Sequence, residues 1–595
     1  MHAKPKHPAA PSLRFDPPFA VLCLVTLLVA VSALVRFAGT HWDATAGLHP
    51  DERHMLFVST RLMRALQALP ETGLGVAELW FSESSSPLNP RAGGESYVYG
   101  EAPLLVTTLV GWFTNLTGWD ELMILGRQIA ALIDSLTVLA IFMTCHPLWG
   151  WRTAFASAAL YAAAPTALQL ANFYTVDIWL AAAVAWSLLF LMVLDRSEKR
   201  GAIAGSATAA GFFLGAAVAC KVSGLALLLP AGIVVLRLAM RRSIADAALA
   251  CIFGFLTAFA VFRLANPFAF AGPGPLGLLL AEAWLRDMRT VIGFSELLDF
   301  PPGWQWMAGY GPLRFARDAA LFGFGPVMTL VAGLAVLRWR KAPKVLLIPA
   351  SLAGVYLLQG LVTEIAVLRY VAPAIPATAV IAGAALSAMG SLPLIVSIAA
   401  SLWWGAATVR LHDGYHPRIL ASVWLWTQPR GTVLLNETSW DEGLPAAIRF
   451  SERPEKRYPD ADGHFELLTL DIVAPDSVEK ADKMADLIDR ADLVILSSGR
   501  QREVMPRLPE RFPLTAAYYR MLESGEACLE LAWSRDRGYP LPGIRLDDSW
   551  AQEPWRVYDH PIVRIYRKAP CFDAMELRRR LRAALAQAGS APLQP

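Results

Sequence analysis

Apolar residues in this chain gather into long uninterrupted runs instead of recurring at the spacing of a surface helix or strand. The first run covers residues 18 to 37 and carries no charge before Arg36. Others lie near 102–118, 122–145, 153–171, 178–194, 202–219, 222–237, 244–263, 319–337, 345–363 and 370–409, the last divided by Met389-Gly390-Ser391. About 20 apolar residues in a helix cross the roughly 30 Å hydrocarbon core of a bilayer, so these runs predict a polytopic α-helical membrane unit over residues 18–409. After Arg410 the pattern shortens. Gly431 to Asn436 and Ala491 to Leu496 read as strands, and Asp476 to Arg490 reads as an amphipathic helix between them. Residues 410–587 therefore predict a soluble α/β domain, with Val557 to Tyr566 as closing strands around a turn and Ala588 to Pro595 as a disordered end.

Lys and Arg in short loops mark the cytoplasmic side of a membrane protein. The diagnostic loops are Asp195 to Arg200, the group Arg237, Arg241 and Arg242, and the group Arg338, Arg340, Lys341 and Lys344. All three fall inside only if residues 102–118 lie along the interface instead of crossing. Trp112 and Phe113 suit the headgroup level, and Glu101 and Trp119-Asp120-Glu121 bracket that run. About eleven spans follow, with residues 1–17 as a cytoplasmic tail carrying Lys4, Lys6 and Arg14 before an uncleaved first span. The soluble domain is then outside the cytoplasm. So are two long loops, residues 38–121 and 265–318.

Composition agrees with a membrane setting. Hydrophobic residues make up 55% of the 595, charged residues only 17%, and mean hydropathy is +0.40, where soluble proteins carry about 25% charged residues. A cytosolic enzyme is excluded on this ground. The net charge of +3 and the lack of a basic cluster interleaved with aromatics argue against a nucleic-acid partner. The six cysteines form no CxxC or Cys/His metal spacing; Cys23, Cys145, Cys220 and Cys251 lie in or beside apolar runs. Cys528 and Cys571 lie in the polar tail and are a candidate pair if that tail is outside the cytoplasm.

Charges within apolar runs are costly and invite explanation. Lys221 is the sole charge from Gly201 through Leu236. It is either an interfacial lysine that snorkels or a ligand for a lipid-linked phosphate. Arg127 lies inside the outer end of the second span with Asp134 seven residues on, so a bridged structural link between the two is open. Arg369 opens the tenth span ahead of Tyr370, Pro373 and Pro376. These three cations share one membrane level, where they could meet a single anion. Asp51 and Glu52 follow His49 and Pro50 in the first outer loop, a pattern that also reads as ordinary helix N-terminal chemistry. Asp177 begins another helix on the outer side. His49 and His54 are at no diagnostic metal spacing.

With these residues assembled, the chain resembles the polyprenyl-phosphate-sugar-dependent membrane glycosyltransferases of glycosyltransferase family 39, which includes the protein O-mannosyltransferases, and the related aminoarabinose transferases, all of the GT-C superfamily. The resemblance spans roughly residues 18–409. It is carried by His49-Pro50-Asp51-Glu52, Tyr99-Gly100-Glu101-Ala102-Pro103-Leu104 and Asn172 to Asp177, and more weakly by Lys221-Val222-Ser223-Gly224 and Arg369-Tyr370-Val371-Ala372-Pro373. It implies Asp51 as catalytic base supported by Glu52, and Arg127, Lys221 and Arg369 as donor-phosphate ligands. Asp177 becomes an acceptor-side or base-orienting carboxylate, with Tyr99 and Glu101 nearby, although Glu101 stands where a neutral or basic residue is expected. It further implies sugar transfer with inversion from a polyprenyl-phosphate donor to a glycan, protein or lipid acceptor, no metal and no cofactor, in a bacterial or archaeal cell membrane. A mannosyl donor is the family expectation. The soluble tail reads as an acceptor-recognition domain, with His560 beside Asp559 as turn chemistry. The competing reading is a transporter or flippase for a lipid-linked or anionic solute, which also places charges within a polytopic bundle.

Overall fold

A computed structural model describes residues 18–272, 274–294, 296–338, 340, 343–437, 443–445 and 463–590. The expected tail at 1–17 and residues 591–595 lie outside the described residues. Among the described residues nine helices are long and apolar enough to span a bilayer, and ten if the bent pair Pro312–Gly323 and Pro326–Leu337, angled at 116°, forms one broken span. The chain is a multi-pass helical membrane protein.

One of the nine is two spans joined. Helix Trp119–Ala162 has 44 residues and breaks at Gly150, whose φ of 79° and ψ of 176° lie in a region reserved for glycine. Its arms fold back on each other: Cys145 Sγ meets Ser157 Oγ at 3.4 Å, and further from the bend Tyr161 donates to Asp134. Among the described residues, counting the two arms separately and the bent pair as one gives eleven apolar segments, the number read from the apolar runs. The first span, Phe19–Ala38, is tied to this hairpin by Arg36, which pairs with Asp134 and donates to Ser32 Oγ at 2.6 Å. Asp134 is thus held by Arg36, and the link from Arg127 that the sequence left open is not made.

Helix Glu101–Thr114 has 14 residues, about 21 Å at 1.5 Å per residue, too short for a bilayer core. Its buried face includes Leu104, Leu105 and Thr108, while Trp112 and Phe113 are exposed. Gly100 just before it donates to Cys220 O at 3.0 Å, and a Cβ there would sit 2.1 Å from Ala219 O. Only glycine admits the loop so close to the end of helix Arg200–Cys220.

The soluble domain is built on a five-stranded sheet in the order Glu466–Leu470, Val433–Glu437, Leu493–Leu496, Val563–Lys568, Leu529–Arg535. The first three strands run parallel and the last two antiparallel to their neighbours. Alternate residues face opposite sides. Leu435, Val494 and Leu496 pack under helices Val478–Arg490, Pro513–Ser524 and Ala574–Ser590, whereas Leu434, Leu493 and Ile495 meet Pro417–Leu425. Cys528 and Cys571 form a disulfide with their Cα atoms 5.6 Å apart. Two expectations change. The last helix continues through Ser590, so disorder does not begin at Ala588. Residues 557–562 form a turn after the short helix Glu553–Arg556, and the strand begins only at Val563.

The soluble domain is not a tethered appendage, because Tyr539, Leu541, Ala551 and Trp555 belong to the hydrophobic core of the membrane unit. The polar half of the junction centres on His560. Its Nδ1 bonds Asp559 and its Nε2 meets Asp548 at 2.8 Å. Asp559 in turn accepts Gln169 Nε2 at 2.8 Å and lies 3.4 Å from His412 Nε2. Burial opposes charge on His560, but the carboxylates of Asp559 and Asp548 outweigh it and lift the imidazole to about 9. A raised histidine stabilises the folded junction fully below its unfolded value of about 6.5 and loses that contribution as pH rises through about 9. Thermal unfolding in detergent should therefore weaken across that window in the wild type, and His560→Asn should flatten the pH dependence there; a wild-type midpoint independent of pH over the same range would contradict this.

Candidate functional site

The site starts at the N-terminus of helix Pro50–Gln67. His49 caps it, its side chain accepting the Glu52 N–H at 3.4 Å, and Pro50 occupies the first turn, where its missing N–H costs nothing. Consecutive residues on a helix point about 100° apart, so Asp51 and Glu52 diverge.

Glu52 turns inward and is fully buried. Its carboxylate receives Arg127 Nε at 2.7 Å and Nη2 at 2.6 Å, and the Tyr174 N–H donates to it at 2.9 Å. Arg127 Nη1 donates to Thr40 O at 2.9 Å and to Asp43 Oδ1 at 2.8 Å, and its guanidinium lies 5.1 Å from the Trp42 ring centroid. Arg127, expected as a phosphate ligand, and Glu52, expected to support the base, thus pair with each other in a fully buried setting.

Asp51 turns outward and pairs with Arg369 Nη1. Arg369 Nε stands 3.9 Å from Asp177 Oδ2, and Asp177 Oδ1 accepts Lys221 Nζ at 2.8 Å. The Lys221 ammonium lies 4.8 Å from the Tyr370 ring centroid. Four charges thus form a row, anion next to cation throughout. Each comes from a break in helical structure: Asp51 and Asp177 from first turns, Lys221 from the extended residue closing helix Arg200–Cys220, and Arg369 from the 3-10 turn that precedes Ile375–Ser387. The cations are the more open members, Lys221 and Arg369 being 27% and 25% exposed against 6% for Asp177.

The Tyr99 phenol lies beside Asp51. Burial pushes the Asp51 carboxyl up, but the Arg369 guanidinium, His49 and Tyr99 together outweigh burial and hold the group down at about 2. Burial keeps the His49 imidazole neutral, down at about 4. Glu101, expected near this group, belongs elsewhere. It is buried, accepts Arg91 Nη1 at 2.6 Å and the Phe268 N–H at 2.9 Å, and Arg91 also holds Asp287 at 2.6 Å. It fastens the first outer loop to the second, which explains an acid at that helix start.

A narrow cleft adjoins Arg369 and lies between the two parts of the molecule. His49, Phe173 and Gln169 line it from the membrane unit, Trp555 and Tyr558 from the soluble domain. The His49 ring lies 4.2 Å from that of Tyr558 and 4.7 Å from that of Phe173. Sequence reasoning passed over His49 as a wall residue and Tyr558 altogether; the only signal was the polar Tyr558-Asp559-His560 run, which reads equally as a turn.

No family model matches the chain, and no curated protein matches it in sequence. Among solved structures it is similar to ArnT from Cupriavidus metallidurans in the apo state, at 15% identity and a TM-score of 0.48, covering 82% of this chain and 95% of that one. It is similar also to ArnT bound to undecaprenyl phosphate, at 15% identity and a TM-score of 0.44, covering 81% and 95%. A third similarity is to the Archaeoglobus fulgidus oligosaccharyltransferase tethered with an acceptor peptide, at 13% identity and a TM-score of 0.48, covering 82% and 70%.

Removing one partner of a buried ion pair strands the other charge and costs about 3–5 kcal/mol. Arg127→Met and Glu52→Gln should each lower the thermal midpoint of the purified protein markedly, whereas Asp51→Asn, at a partly open site, should shift it little. Comparable losses in all three would show that Asp51 is structural.

Proposed function

We propose that the protein is a membrane glycosyltransferase that moves a sugar, with inversion, from a polyprenyl-phosphate donor to an extracytoplasmic acceptor. The observation that carries the reading is the row Asp51–Arg369–Asp177–Lys221, with a carboxylate at one end and two partly exposed cations beyond it. Lys221 and Arg369 bind the donor phosphate. The departing lipid phosphate is already ionised, so cations aimed at its oxygens stabilise the developing charge and no general acid is needed.

Asp51 takes the acceptor proton. Held at about 2 by Arg369, it is a poor base in the empty site. A donor phosphate that draws Arg369 toward itself removes the counter-charge from Asp51 and raises its basicity, so the base is armed only when donor is bound. Asp177 keeps Lys221 in place and orients Arg369. With Asp51 taking the acceptor proton and Lys221 and Arg369 holding the departing phosphate, a single displacement inverts the anomeric centre.

The soluble domain lies outside the cytoplasm in this account. The disulfide between Cys528 and Cys571 suits an oxidising compartment, and the three basic loops then fall inside.

General-base catalysis contributes about 10²- to 10⁴-fold. Release of free polyprenyl phosphate by purified protein, supplied with a panel of polyprenyl-phosphate sugars and a membrane extract as acceptor, should fall by at least about 10²-fold in Asp51→Asn. Equal turnover in wild type and variant would remove Asp51 as the base.

A further inference from the structure

The last span, Ser391–Leu411, has 21 residues, about 31 Å at 1.5 Å per residue, so its whole length is needed to cross a hydrocarbon core of about 30 Å. The soluble domain follows its C-terminal end, yet one piece of that domain runs back beside the span. Strands Tyr539–Leu541 and Ile544–Leu546 form a two-stranded antiparallel hairpin. At its base, Arg537 donates to the final carbonyls of the span, Arg410 O at 2.6 Å and Leu411 O at 2.9 Å. Further in, the Tyr539 hydroxyl donates to Trp404 O at 3.0 Å, and at the turn Trp403 Nε1 donates to Pro542 O at 3.3 Å. The turn is thus level with Trp403, about 12 Å short of the end of the span.

The bundle leaves room for the hairpin there. Helix Pro326–Leu337 has only 12 residues, about 18 Å, and Pro312–Gly323 before it is turned away at 116°. Trp404 Nε1 donates to Leu321 O at 2.8 Å, which puts the bend at the level of Trp404. Beyond that level the hairpin stands where a full-length span would, with Tyr539 and Leu541 in the core of the membrane unit and the Tyr539 ring 5.3 Å from that of Phe322.

Its remaining features suit hydrocarbon. Ile544 at the turn is 61% exposed, and on the span Leu392, Ile395, Val396, Leu402 and Trp403 form an exposed stripe at helical spacing that reaches the same level. Pro540 and Pro542 carry no N–H, which removes two backbone donors that hydrocarbon would leave unpaired. The one charge on the two strands, Arg545, turns away from the tip. Its side chain runs back over Gly538, where a Cβ would stand 2.8 Å from Arg545 Nε, and reaches Asp536 at the base at 2.6 Å. A long cationic side chain that lays its stem along apolar surface and sends its charge toward water is the snorkelling seen at bilayer surfaces.

We infer that the hairpin Tyr539–Leu546 is a membrane-inserted element of the soluble domain: its Pro542-Gly543-Ile544 tip lies among lipid acyl chains in the leaflet that faces that domain, with Arg545 at the level of the lipid phosphates. The soluble domain is thereby held by the bilayer as well as by the membrane unit. This holds whichever compartment the domain occupies and whatever reaction the site performs.

Nitroxide labels on single cysteines test it in the full chain in lipid nanodiscs, with Cys23 and Cys251 replaced by alanine. Depth is read as the ratio of collisions with oxygen, which concentrates in hydrocarbon, to collisions with a water-soluble nickel chelate. Ile544→Cys should give a ratio near that of Val396→Cys within the span and well above that of Lys483→Cys, an exposed position on the charged helix Val478–Arg490. Arg545→Cys should fall between the two. A ratio at Ile544→Cys equal to that at Lys483→Cys would put the tip in water and overturn the inference. Collision with neither reagent would mean that protein, such as a second copy of the chain, covers the tip, and would overturn it equally. If Ile544→Cys fails to fold, Arg545→Cys, which gives up only an exposed ion pair, decides the matter in its place: a ratio above that of Lys483→Cys upholds insertion, and an equal one rejects it.

Discussion

The ion pair between Glu52 and Arg127 is the constraint from which the site follows. It is a two-point contact between fully buried side chains, and such pairs are kept for geometry more than for net stability. Arg127 sits on the first arm of the central hairpin, Asp43 and Thr40 come from the loop after the first span, and Tyr174 comes from the turn before the helix that carries Asp177. One guanidinium therefore fixes the start of helix Pro50–Gln67 against three other segments. With Glu52 pinned inward, the helical twist leaves Asp51 only one direction, toward Arg369.

A second constraint closes the site from the other side. The soluble domain shares a hydrophobic core with the membrane unit and is locked by the His560 node, whose ligands Asp559 and Asp548 come from the soluble domain and whose neighbours Gln169 and His412 come from the membrane unit and its last helical end. The ring of Tyr558 is held beside His49 as a result. The chemistry at Asp51 and the docking of a domain some 500 residues later in the chain are thereby one structural problem.

Much of this was legible in the sequence, for identifiable reasons. Spans are readable because a bilayer demands long apolar runs, and even the hairpin at Gly150 shows as two runs separated by a short stretch holding His146, Pro147, Gly150 and Arg152. Asp177, Lys221 and Arg369 stand out because each is a charge at the edge of an apolar segment, Asp51 stands out through the His49-Pro50-Asp51-Glu52 run, and the structure brings these four together. Arg127 and Glu52 carry the same signal for a different reason. Local sequence cannot say which charges satisfy each other, and residues 51 and 52 look equivalent until helical geometry separates them. Glu101 misleads likewise, since its partners Arg91 and Phe268 lie in two different loops. Tyr558 signals only a turn, because its contact with His49 spans more than 500 positions.

The most direct test of the central claim is a cryo-EM map of the full chain in lipid nanodiscs with polyprenyl phosphate. The account predicts phosphate density within hydrogen-bonding distance of both Lys221 and Arg369, with the Asp51–Arg369 contact lengthened and the Glu52–Arg127 pair unchanged. Phosphate density at Arg127 with Glu52 displaced, or lipid phosphate bound away from Lys221 and Arg369 altogether, would contradict it.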